Sequence, residues 1–154
     1  VPEHEVHNTS GAIAEATDAV IATLSARLDA LVASWQLAID SNRKAPVGSD
    51  KVRSPAEVLA ELERELADLE QRCTDQRQAS EEATQVAGDW ERRAMSAVKN
   101  GRDDLAREAL NQFRNHLDAA KQLGTEASEL EVLRDSYRNA VKAVRVTSAD
   151  SKTV

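Results

Sequence analysis

The chain has 154 residues, 27 of them Asp or Glu against 20 Lys or Arg, which leaves a formal net charge of −7. Aromatic residues make up 3%, and Gly and Pro occur 5 and 3 times; this scarcity, beside abundant Ala, Glu, Leu and Arg, excludes a sheet-rich fold and favours long helices in one domain. The acidic balance argues against nucleic acid as a partner, and no run approaches the ~18–20 apolar residues of a membrane-spanning helix.

The start Val1-Pro2-Glu3-His4-Glu5 is polar and acidic, unlike a secretion signal. Val1 is not Met, so the chain is read as processed or shortened at its beginning. A single cysteine, Cys73, precludes an internal disulfide and fits a reducing compartment. Residues 1–10 lack hydrophobic periodicity and are expected to be disordered.

A first amphipathic helix is expected over residues 11–40, capped by Thr9 or Ser10. Ile13, Val20, Ile21, Leu24, Leu28, Leu31, Val32, Trp35, Ala38 and Ile39 share one apolar face, and Leu37 falls off it. Residues 41–54 read as a linker, because Asn42, Pro46, Gly48 and Ser49 break helices. The linker carries Arg43, Lys44, Lys51 and Arg53 against Asp50 alone, a candidate contact for anionic lipid head groups. The plainer account of the same charges is a solvated loop.

The next helix has a start signal in Ser54-Pro55-Ala56-Glu57: Ser at the N-cap, Pro at the first helical position, and Glu three residues after the cap. A heptad seam follows through Leu59, Leu62, Leu66, Leu69, Cys73, Gln76, Ser80, Ala83, Ala87, Trp90, Ala94 and Ala97. Asn100-Gly101 then suits a left-handed helix stop. Asp103 or Asp104 opens another helix, whose apolar series is Leu105, Ala109, Leu110, Phe113, Leu117, Ala120, Leu123, Ala127, Leu130, Leu133, Tyr137, Val141 and Val144. Residues 147–154 read as a disordered tail.

Two arms of similar length joined by a short turn bury both stripes most simply by folding back on each other. The fold class is therefore all-α: a long antiparallel helical hairpin, or coiled coil, over residues 55–146 with its turn near 100–102, plus the N-terminal amphipathic helix. Pairing about the turn sets Trp90 near Phe113, Ala83 near Ala120, Ser80 near Leu123 and Leu66 near Tyr137. Charge supports the same register, since Glu57, Glu61, Glu63, Glu65, Asp68 and Glu70 meet Arg134, Arg138, Lys142 and Arg145.

No catalytic constellation emerges. His4-Glu5-Val6-His7 lacks the spacing of the zinc-protease helix. His116 sits beside the apolar stripe, and Cys73 at a seam position reads as a buried thiol rather than a nucleophile. No Gly-rich phosphate loop is present. No metal and no cofactor are expected.

The run Asp89-Trp90-Glu91-Arg92-Arg93-Ala94, with Ala97-Val98-Lys99-Asn100-Gly101-Arg102-Asp103-Asp104-Leu105-Ala106-Arg107-Glu108-Ala109-Leu110, resembles the hairpin-tip signature of the PspA family. Ser54-Pro55-Ala56-Glu57-Val58-Leu59 resembles that family's entry to the same hairpin, so the similarity covers residues 54–145. The resemblance implies an ESCRT-III-like peripheral membrane protein, not an enzyme, that self-assembles and maintains or remodels membranes under stress. Its tip residues here are Trp90, Gly101, Arg102, Asp104, Leu105, Ala106, Arg107, Ala109 and Leu110, which in the family contribute to subunit packing. The family continues past the hairpin into further helices, whereas this sequence stops at Val154.

The implied partners are other copies of the chain and a membrane surface. The implied location is cytoplasmic, peripheral on the inner face of the membrane. The first helix carries Glu15, Asp18, Asp29 and Asp40 against Arg27 on its polar side, which opposes anionic lipid and predicts packing on protein. The competing reading is a soluble coiled-coil adaptor or regulator that binds another helical protein without lipid.

Overall fold

The computed structural model describes residues 4–44 and 53–152, which form three helices: α1 (His4–Lys44), α2 (Pro55–Lys99) and α3 (Asp103–Lys152). Among the described residues there is no strand. The fold is all-α, with α2 and α3 forming the antiparallel hairpin.

The cap chemistry of α2 is as its sequence dictates. The Glu57 amide donates to Ser54 Oγ at 3.2 Å, which satisfies one of the free donors of the first turn, and the Val58 amide donates to the Ser54 carbonyl at 3.2 Å as the first bond of the helix. At the other end the Arg102 amide donates to the Ala97 carbonyl (2.8 Å) and the Gly101 amide to the Val98 carbonyl (3.1 Å). This nested pair is the Schellman stop, and it needs the left-handed backbone that Gly101 adopts at φ 69°. The Arg102 carbonyl then accepts from Ala106, and Asp103 and Asp104 sit in the first turn of α3.

Helix limits differ from expectation at both ends. α1 begins at His4, ahead of the expected start at Gly11, and passes through Thr9 and Ser10 rather than being capped by them. Between Pro2 and Pro46 the only glycine is Gly11, so little opposes helix there. α3 continues through Thr147 to Lys152, where a polar tail was expected. Val146-Thr147-Ser148-Ala149-Asp150 holds neither Gly nor Pro, and Thr147 Oγ1 donates back to the Ala143 carbonyl at 2.8 Å, so its hydroxyl does not compete with the helix. Of the linker, residues 41–44 belong to α1, and residues 45–52 lie outside the described residues.

Two compact units emerge. One comprises Thr17–Gln71 and the chain from Leu130 onward; the other comprises Arg72–Glu129 with the beginning of α1 up to Ala16. In the first unit, three helices share a core of Leu31, Trp35 and Ala38 from α1, Val58, Leu62 and Leu69 from α2, and Leu130, Leu133, Tyr137, Val141 and Val144 from α3. Tyr137 is fully buried, and its hydroxyl donates to the Leu24 carbonyl of α1 at 2.8 Å. The expected packing of the first helix on protein is met within the same chain, and Leu37 stays outside the core. Arg145 bonds Glu63 at 2.9 Å, Arg138 bonds Glu70 at 3.2 Å, and Arg27 of α1 bonds Glu65 at 2.7 Å. The acidic start of α2 thus meets the basic end of α3.

The second unit has a leaner seam. Cys73, Ser80, Ala87 and Ala94 from α2 meet Ala106, Ala109, Ala120 and Ala127 from α3. Polar groups fill its middle: Gln76 Nε2 donates to Glu126 Oε2 at 2.8 Å, and Ser80 Oγ donates to the Ala120 carbonyl at 3.2 Å. Glu126 is buried at 5% exposure, and its carboxylate accepts from the amides of Gln76 and, at 3.5 Å, Gln122.

Candidate functional site: the hairpin tip

The tip is built from the last turns of α2, the turn Asn100-Gly101-Arg102 and the first turns of α3. Small side chains let the two helices approach here, because Ala94, Ala106 and Ala109 are buried against one another's helices rather than in water. Their size leaves a shallow groove of about 730 Å³, lined among others by Trp90, Arg93, Arg102, Leu105, Glu108 and Ala109.

Trp90 is half-buried. Its ring stacks on His116 of α3, with centroids 6.4 Å apart and planes 8° from parallel. Arg93 places its guanidinium carbon 4.5 Å from the Trp90 ring centroid on the same helix, a cation–π contact. The ring stacked on Trp90 therefore belongs to His116 and not to Phe113, which lies one turn earlier on α3 and is itself half-buried. Arg92 pairs with Asp89 along α2.

The structure brings the sequence-predicted tip residues together and sorts them. Ala106 and Ala109 face inward, while Gly101, Arg102, Asp104, Leu105, Arg107 and Leu110 face solvent. Leu105 and Leu110 were placed in the apolar series of α3, yet they flank the seam and stay 47% and 40% exposed. Met95 and Val98, outside the expected seam, are also exposed large apolar residues of this region. Their signal in the sequence is an apolar residue on the wrong side of a heptad whose other side already supplies the core.

The basic linker is not assembled into a site by the described residues. Arg43 and Lys44 belong to the end of α1. Arg53 pairs with Glu61 of α2, and Lys51 is outside the described residues. Cys73 is buried. Among the described residues no cluster of three or more His, Cys, Asp or Glu is arranged to hold a metal ion, and no helix is long and apolar enough to cross a membrane.

Two long helices hairpinned about a glycine stop, with an alanine-lined tip and no assembled reactive groups among the described residues, define a helical-hairpin scaffold whose distinctive surface is its tip. The chain belongs to the PspA/IM30 family, whose model matches residues 50–153. The chain is also similar to the membrane-associated protein Vipp1 of Synechocystis, with 32% identity over 84 residues, 54% of this chain. It spans 31% of that protein's length. No solved structure matches the chain.

Proposed function

We propose that this protein is a PspA-like, ESCRT-III-like peripheral membrane protein that self-assembles and maintains or remodels membranes under stress, acting on the cytoplasmic face. The observation that carries this reading is the family match over residues 50–153, which takes in the whole hairpin and the tip. The membrane-associated character of the Vipp1 relative supports it. The groove beside Trp90 and the exposed Leu105 and Leu110 supply a surface on which a second copy can pack. The role is scaffolding rather than catalysis: no substrate is turned over, and function rests on which surfaces the hairpin presents.

A second reading, a coiled-coil adaptor that binds another helical protein without lipid, draws on one observation. Leu31, Trp35 and Ala38 of α1 are buried inside their own unit, so this stretch does not offer its apolar side to a bilayer.

Co-sedimentation with anionic and neutral liposomes, followed by negative-stain microscopy of the pellet, separates the two. Pelleting with anionic liposomes together with ordered particles supports the membrane role. Retention in the supernatant with both, alongside recovery of a discrete complex with a helical protein, would replace it with the adaptor.

A further inference from the structure

Near the end of α2 the spacing of three and four places Arg92, Met95 and Lys99 on one stripe, away from the side that carries Ala87 and Ala94 into the seam. Val98 adjoins that stripe, and Arg102 follows in the turn. Met95 is 57% exposed and Val98 61%. Between residues 92 and 102 the charged side chains are Arg92, Arg93, Lys99 and Arg102, and the nearest carboxylates, Glu91, Asp103 and Asp104, flank this run rather than interrupt it, in a chain whose formal charge is −7. Arg92 is engaged by Asp89 and Arg93 by the Trp90 ring, whereas Lys99 and Arg102 enter none of the ion pairs among the described residues.

We propose that this stripe is a lipid-contacting surface that seats the hairpin tip on an anionic bilayer. Met95 and Val98 enter the boundary between head groups and acyl chains, and Lys99 and Arg102 meet the lipid phosphates. Apolar side chains interleaved with cations are what a contact lying in the interface requires, and they are too few to span it. The proposal rests on the peripheral-membrane reading above and names the contact.

Two observations favour a bilayer over a second copy of the chain as the occupant. Leu31, Trp35 and Ala38 of α1 are already covered by protein within their own unit, so this stretch does not turn its apolar side to a bilayer and leaves that contact to another surface. Of the six carboxylates in the acidic run that a basic tip of another copy would seek, four are already engaged: Glu61, Glu63, Glu65 and Glu70 pair with Arg53, Arg145, Arg27 and Arg138.

The test uses the full chain in flotation with vesicles of phosphatidylglycerol mixed with phosphatidylcholine, and of phosphatidylcholine alone. Two variants, Met95→Glu with Val98→Glu and Lys99→Glu with Arg102→Glu, change exposed side chains only, and circular dichroism checks that they stay helical. Each is expected to bind the anionic vesicles at least about tenfold more weakly than wild type. A polarity-sensitive dye on Val98→Cys, in a Cys73→Ala background, is expected to shift blue with anionic vesicles and not with neutral ones. If wild type and both variants float alike and the dye does not shift, the tip assignment fails while the peripheral-membrane reading stands. Wild type that floats with neither vesicle overturns both. Variants that float like wild type but lose ordered particles in negative stain assign the stripe of Met95, Val98, Lys99 and Arg102 to a subunit contact, beside the groove at Trp90, and overturn the proposal.

Discussion

The hydroxyl of Ser80 on α2 stands 3.2 Å from the point that a Cβ on Gly124 of α3 would occupy. The glycine in the middle of α3 is thus a packing residue, despite its weak helix propensity. An alanine inside a helix ordinarily gains about 1 kcal/mol over glycine. At Gly124 the Ser80 hydroxyl must give way, and it is held by its bond to the Ala120 carbonyl. Gly124→Ala is expected to gain nothing or to lose up to about 1 kcal/mol, whereas Gly124→Ala in a Ser80→Ala background recovers most of the propensity gain. Gly88 is the control. A Cβ there meets only the end of Arg92 at 3.7 Å, so Gly88→Ala should stabilise by about 1 kcal/mol in urea unfolding.

Gln76 and Glu126 form the most polar layer of the seam, at 2.8 Å. Gln76→Leu removes the close donor from a carboxylate that is 5% exposed, and is expected to destabilise by about 1–3 kcal/mol. Replacing both residues by Leu should restore or exceed wild-type stability, because an apolar pair needs no partner in that layer. Urea unfolding of the two single variants and the double variant measures the coupling.

Tyr137 supplies a pH dependence. Burial first, then the Glu65 and Glu61 carboxylates, push its phenol from 10.0 up to about 12, with Arg27 opposing. The folded state therefore holds the proton more tightly than the unfolded state. Its contribution is fully present below about pH 10 and is lost as pH rises through about 12. The loss is of order 2 kcal/mol. Tyr137 is the only tyrosine, so tyrosinate absorbance follows this one group in the intact protein. Tyr137→Phe removes the bond to the Leu24 carbonyl and should cost about 1 kcal/mol near neutral pH, and it should flatten the alkaline fall in stability.

Trp35 is 7% exposed in the three-helix core, so in a Trp90→Phe variant its emission should be blue-shifted without lipid. Anionic vesicles are expected to leave it unchanged, since α1 keeps its apolar side on protein. An emission of solvent-exposed Trp that turns blue only on adding vesicles would show α1 leaving the bundle for the bilayer. Trp35→Ala should cost about 3–5 kcal/mol in urea unfolding.

The three helices, the cap at Ser54, the stop at Gly101 and the pairing of acidic α2 with basic α3 were legible in the sequence. Each depends on neighbours within a turn or on charge summed along an arm. A Ser that caps, a Gly that accepts positive φ and a repeat of three and four act before the helices meet. The same local rules located the tip residues but not which way they face. Val58 is buried where Leu59 was expected in the seam, and Ala106 turns inward while Leu105 stays exposed. One residue on a helix is 100° of rotation, and the partner's shape settles a rotation of that size. The stacking of Trp90 on His116, the space kept at Gly124 for Ser80, and the burial of α1 within its own unit are likewise tertiary. They depend on residues far apart in the chain, whose approach is decided by how the three apolar faces cover one another, and heptad spacing carries no term for that.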